Sequence, residues 1–278
     1  MTVTKRMNRT GRLIAVMAVA ASAVGVAGLV GNGVASGEDD GDELPDVCRN
    51  RPRRPVEIAT AKLIIEFNST DDDIGVHGAF DDHGWSELCV FAPNGRPIAV
   101  FDPQGQLNDL TMAGVFFESR EPPAEEFSME DLAAAFPEGE YKVRARSFDG
   151  RTLVGSATFT HDVPAPPVIT APELADDPTQ PGSPVARDGL VVDWEPVTET
   201  IDGAPVTTTG YEVIVTKEDH DDPHGFSRPV YDVHVPAALD SLSVPAEFFE
   251  PDTVYELEVL ALEESGNQTI TVGFFVTD

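Results

Sequence analysis

From residue 58 onward, apolar and polar residues alternate in short runs, the two-residue period of strands half buried in a sheet. In the first half of the chain the runs cover residues 62–67, 85–91, 97–101, 114–117, 140–146 and 153–159. Residues 68–73 read as a polar, acidic turn, and Pro93-Asn94-Gly95 as the turn that stops the second strand. One segment has helical character instead. Ser128 can cap residues 128–136, Glu130 and Asp131 suit its first turn, and Pro137 and Gly139 stop it. Val163-Pro-Ala-Pro-Pro167 is then a stiff, extended linker.

After the linker the pattern sharpens. Seven strand-like runs cover residues 168–170, 190–194, 209–215, 230–235, 241–244, 254–262 and 269–276, separated by Pro, Gly and Asp turns. That many short strands in so few residues predicts a two-sheet sandwich. Trp194 and Tyr211 are expected in its core. Tyr255 is expected to form a tyrosine corner, its ring packed inside and its hydroxyl returned to the backbone before the strand. Leu257, Val259 and Ala261 should alternate inward with it, with Glu256 and Glu258 outward.

The order Trp194-Glu-Pro196, Gly210-Tyr211, Pro251-Asp-Thr-Val-Tyr255 and Gly266 resembles a fibronectin type III domain over about residues 166–278. The resemblance implies a spacer or a scaffold that binds protein or carbohydrate, and no motif of that family carries catalysis. The first half echoes this arrangement. Phe136-Pro-Glu-Gly-Glu-Tyr141 through Gly150 parallels the stretch from Phe249 to Gly266, and Trp85 would be an early core aromatic. The expected fold is therefore all-β, two tandem antiparallel β-sandwiches. Residues 58–162 would form an immunoglobulin-like domain with one short helix, 163–167 the linker, and 168–278 the fibronectin-like domain. Lys142, Arg144 and Arg146 on one outer strand could meet Glu256 and Glu258 on the other domain.

The N-terminus changes the picture from fold to compartment. Lys5, Arg6, Arg9 and Arg12 precede an uncharged run over residues 13–31, and small residues follow at Gly33-Val34-Ala35-Ser36. This is the pattern of a secretory signal over residues 1–35. The run is also long enough for an uncleaved anchor. Either reading puts the remainder outside the cytoplasm. Residues 36–57 combine an acidic stretch with Arg51-Pro-Arg-Arg-Pro55 and read as a mobile arm. Cys48 and Cys89 are the two cysteines, an even count that suggests a disulfide in an oxidising compartment, with two separate thiols as the other reading.

The chain carries 18 basic and 49 acidic residues, a net charge of −31. Such a field repels phosphate backbones, which argues against nucleic acid as a partner. It attracts cations, either as a solvated surface or at a specific site. Asp71, Asp72, Asp73, His77, Asp81, Asp82 and His83 concentrate potential ligands in residues 68–84; of these Asp71, Asp73, Asp81 and Asp82 are the candidate calcium ligands. The spacing does not fit an EF-hand, because Val76 falls where that loop needs glycine. A solvated acidic turn is the competing reading. His220 and His224 lie four apart in a Pro-containing loop, a spacing open to adventitious zinc or nickel. His161, beside Asp162, could line an interdomain cleft or simply pack the joint.

For enzyme chemistry the sequence offers no Gly-x-Ser-x-Gly elbow, no His-Glu-x-x-His and no phosphate loop. The function expected is a secreted or cell-surface, non-catalytic binding or adhesion protein that recognises an extracellular protein or polysaccharide. The alternative is a metal-dependent extracellular enzyme or accessory module using the acidic segment between Asp71 and His83.

Overall fold

In the computed structural model the described residues are 44–50, 52, 54–220 and 230–278, together with the backbone of two paired strands, β1 (Thr4–Met7) and β2 (Leu13–Val16). The rest of the expected export signal and the segment carrying His224 lie outside the described residues. The fold is all-β.

The first sandwich begins with α1 (Asp46–Arg49), β3 (Val56–Glu57), β4 (Thr60–Asn68) and β5 (Asp73–Phe91). It continues with β6 (Pro97–Phe101), α2 (Gln106–Leu110), β7 (Met112–Glu118), α3 (Met129–Ala135), β8 (Gly139–Ser147) and β9 (Thr152–Phe159). β5 serves both layers. Its first part pairs with β4 and β7, and its second part with β6 and β8. The change comes where the register shifts between Asp81 and Glu87, around Gly84, whose φ is +155°. Leu63, Ile65, Val76, Phe80, Trp85, Leu88, Tyr141, Val143 and Phe159 are all buried between the layers. α3 crosses from one layer to the other. Ser128 and Asp131 close a capping box at its start, and Leu132 inserts into the core.

Residues 69–72 form the expected turn, but residues 73–84 of the acidic segment belong to β5. Its glycines explain why. A Cβ on Gly75 would lie 2.6 Å from Glu121 Cγ, and one on Gly78 would lie 2.3 Å from a Phe117 ring carbon. Glycine here makes room for crossing side chains inside a strand rather than a turn. The arm also differs from expectation. Cys48 and Cys89 form a disulfide, with Cα atoms 5.7 Å apart. Val47 and Leu44 pack with it against Phe91, and β3 pairs in parallel with β9. The apolar side chains around the disulfide therefore hold the described part of this segment on the sandwich.

The second half contains all seven expected strands: β10 (Ile169–Ala171), β11 (Val191–Trp194), β12 (Thr208–Lys217), β13 (Val230–Pro236), β14 (Ser241–Ser243), β15 (Val254–Glu263) and β16 (Gln268–Val276). β10-β11-β14 faces β13-β12-β15-β16, the three-on-four arrangement of an immunoglobulin-like sandwich. Trp194, Tyr211, Tyr255, Leu257, Val259 and Ala261 are buried between the sheets. The Tyr255 hydroxyl accepts a bond from Glu250 N at 2.8 Å, the expected corner. Tyr141 makes its counterpart in the first sandwich, donating to Pro137 O at 3.0 Å.

The two sandwiches are not beads on a stiff spacer. β16 pairs in parallel with β4, joining Gln268 to Glu66, Thr269 to Phe67 and Ile270 to Asn68, so one sheet runs through both halves. Asn267, 1% exposed, pins the junction. Its Oδ1 accepts from Ile65 N at 2.8 Å, and its Nδ2 donates to Thr160 O at 3.1 Å, Thr160 Oγ1 at 3.0 Å and Asp162 O at 3.3 Å. The proline segment is docked too: Thr269 Oγ1 donates to Pro164 O at 2.6 Å.

Candidate functional site

The continuous sheet presents one outer face to both halves. Alternation on β4 puts Lys62, Ile64 and Glu66 on that face, opposite the core residues Leu63 and Ile65. His77 on β5 is the cross-strand partner of Ile64. On the other half the same face carries Ile214, Leu260 and Ile270, a buried apolar cluster outside the sandwich core. Between these walls lies a cleft of about 400 Å³, lined by Glu66, His77, Phe116, Glu212, Asp232, His234 and Gln268 among others. Clefts at domain junctions are where ligand sites concentrate.

Two His/carboxylate groups occupy the region. In the first, His77 Nε2 is 2.8 Å from Glu121 Oε1, and Nδ1 is 3.6 Å from Glu66 Oε2. Gln268 Nε2, from the other half, donates to Glu66 Oε2. Burial alone would lower the imidazole, but Glu66, the hydrogen-bonded Glu121 and Glu118 outweigh it and push His77 up to about 9. Burial pushes the Glu66 carboxyl up, reinforced by Glu121 and Glu258 and opposed by His77 and Gln268. Asp73, half buried, is pushed up to about 7 by desolvation and by Glu121, Asp71, Glu66 and Asp72. Glu66 and Glu121 thus flank the His77 ring on both sides and favour its protonated form.

The second group stands on the β12–β13 pair. Glu212 and His234 are direct cross-strand partners, with His234 Nε2 3.4 Å from Glu212 Oε1. Asp232 lies two residues before His234 and shares its face. The Glu212 carboxylate and Asp232 push the His234 imidazole up, against partial burial and Lys62. Glu212 is 10% exposed at its side chain and His234 48%, so a fixed carboxylate faces an accessible ring.

The four candidate calcium ligands do not converge. Asp73 pairs with Asn68 at one end of the β4–β5 ladder, and Asp81 pairs with Thr60 at the other, eight residues away. At about 3.3 Å per residue that separation is on the order of 25 Å. Asp71 accepts from Asn68 Nδ2 at 3.0 Å within its own turn, and Asp82 accepts from Ala59 N at 2.9 Å across the end of the ladder. Of the candidate ligands in the acidic segment, only His77 lines the cleft. His161 packs on the first sandwich, edge-on to Phe159 with Nε2 2.9 Å from Phe136 O. The contact foreseen between Arg144 or Arg146 and Glu256 or Glu258 is not the one these arginines make. Arg144 stacks on Phe91, and Arg146 pairs with Glu87 at 3.2 Å. Glu258 is on the outer face as expected but 6% exposed, because the first sandwich covers that face.

Glu66, Glu121, Glu212, Asp232 and His234 escaped the sequence reading because tertiary contacts, not spacing, assemble them. The only local signal is Asp232-Val-His234, two potential ligands on one face of a strand.

No family model and no curated protein matches the chain. Among solved structures it is similar to the chicken CNTN1 FN1-FN3 domains, at 13% identity and a TM-score of 0.33, covering 81% of this chain and 65% of that one. It is also similar to a tetra-tandem repeat in the extending region of a large adhesion protein, at 11% identity and a TM-score of 0.27, covering 79% of this chain and 50% of that one. The chain thus spans less than two thirds of the length of both.

Proposed function

We propose that this chain is an exported, non-catalytic binding protein that seats a segment of an extracellular protein or polysaccharide in the cleft between its two sandwiches. The cleft carries the reading: it is built on one hydrogen-bonded sheet, so its walls are held in fixed relation before any ligand arrives, which reduces the ordering cost of binding. Its lining combines an aromatic ring, Phe116, with carboxylates and amides, a mixture that suits hydroxyl-rich or cationic surfaces. The disulfide and the basic-then-apolar N-terminus support an oxidising, extracytoplasmic compartment.

The test is a binding screen of residues 37–278 against cell-envelope polysaccharides and surface proteins, repeated with Phe116→Ala and Lys62→Glu. A partner lost in both variants is expected. A partner bound equally by both variants, or turnover of a polymer by the parent, overturns the reading.

A further inference from the structure

We propose that Glu212, Asp232 and His234 hold a zinc-class divalent cation at the wall of the cleft. The inference rests on the cleft reading for its meaning but not for its test. The three side chains come from two adjacent strands in register, and each offers one ligand atom, all within 4.8 Å of one another. The decisive distance is the 3.4 Å between His234 Nε2 and Glu212 Oε1. Zinc–nitrogen and zinc–oxygen bonds of about 2.0–2.1 Å in a tetrahedron place neighbouring ligand atoms about 3.3 Å apart. An ion can therefore enter this gap with little movement of the strands.

The other His/carboxylate group supplies the contrast. His77 Nε2 stands at hydrogen-bond distance, 2.8 Å, from Glu121, and its second nitrogen faces Glu66. Both ring nitrogens of His77 are engaged by carboxylates in a buried pocket, whereas His234 sets one nitrogen against Glu212 and keeps a half-exposed ring at the cavity wall. The cavity leaves space for a fourth ligand, a water or a donor atom of a bound partner, as open zinc sites require. One imidazole and two carboxylates suit zinc and its neighbours; calcium takes six to eight oxygens, which this wall does not present. Lys62 is the opposing charge near His234 and weakens cation binding there.

The full chain, stripped with EDTA, is titrated calorimetrically with zinc chloride alone. One saturating ion per chain is expected. Affinity should fall at least tenfold in His234→Ala and in Asp232→Asn, rise in Lys62→Met, and stay unchanged when His220 and His224 are replaced by Ala. Calcium chloride should give no saturable heat. Cobalt(II) added to the parent should give tetrahedral absorption bands that zinc abolishes, a readout that does not depend on any variant folding. No saturable zinc binding, affinity retained in His234→Ala, loss confined to the His220/His224 variant, or calcium preferred over zinc would each overturn the assignment. Because no partner enters the titration, its failure leaves the cleft as a binding surface untouched.

Discussion

Replacing Asn267 by alanine should uncouple the two sandwiches while leaving each core intact. The side chain is buried and spends every polar atom on the junction, one acceptor to Ile65 N and the amide hydrogens on Thr160 and Asp162. Removing it leaves the Ile65 N–H, in a residue with 0% exposure, without its acceptor, a desolvation cost of about 1–3 kcal/mol. The carbonyls of Thr160 and Asp162 lose donors worth about 0.5–1.5 kcal/mol each. Thr160 Oγ1 keeps Ser265 as a partner at 2.8 Å, so it adds little. The total is about 4 kcal/mol. For a chain of this size each kcal/mol lowers the melting midpoint by roughly 2–4 °C, which predicts a fall of about 8–16 °C. Two assays read it: calorimetry, where the transitions of the two halves should separate, and hydrogen exchange, where the Ile65 amide should lose protection before the core strands do. Asn94→Ala, in an exposed turn, is the matched control. If Asn267→Ala melts within about 0.5 kcal/mol of the parent, the amide does not hold the junction and the rigid cleft loses its physical basis.

Three further outcomes follow from the geometry. Cys48→Ala with Cys89→Ala opens a loop spanning 41 residues, which loop-closure entropy values at about 4 kcal/mol, and urea unfolding of the double variant should show a loss of that order. Tyr255→Phe removes the acceptor of the Glu250 N–H and should cost about 1–2 kcal/mol by the same measurement, with Tyr231→Phe, whose longer 3.3 Å bond is exposed, costing less. The pH dependence has a definite sign. Asp73 at about 7 and His77 at about 9 both hold protons more tightly in the folded chain than in the unfolded one, so their contributions are present at low pH and lost as pH rises. Asp73 acts between about 4 and 7 and His77 between about 6.5 and 9. Urea midpoints should therefore fall across this range, and an imidazole titration by NMR that placed His77 below 7 would refute the clamp.

The second sandwich was legible because its strands alternate cleanly, one face in the core and one outside, with Pro and Gly between them. The first was less so. Asp71–Asp73, Asp81, Asp82 and three glycines carry the composition of a loop, yet Gly75 and Gly78 sit inside β5 because Glu121 and Phe117 occupy the space a side chain would need. That crowding is a tertiary fact with no local signature. The same holds for Glu66: read alone, it is a charged residue on the outer face of a strand, and only the pairing of β16 with β4 buries it. The cleft residues come from distant strands, so periodicity could place each on a face but not beside its neighbours. Tyr141 and Tyr255, by contrast, announce their hydroxyl bonds within five residues of themselves.

The pairing of β4 with β16 also sets a schedule for the chain as it is made. β4 is made about 200 residues before its partner β16, so this edge of the first sandwich stays unpaired until β16 emerges. An open edge of that kind is a template for wrong pairing with other chains. A contact of such long sequence separation is also slow to form. β16 thus works as a closing seam, and a chain truncated before Gln268 would carry a first domain with its adhesive edge exposed.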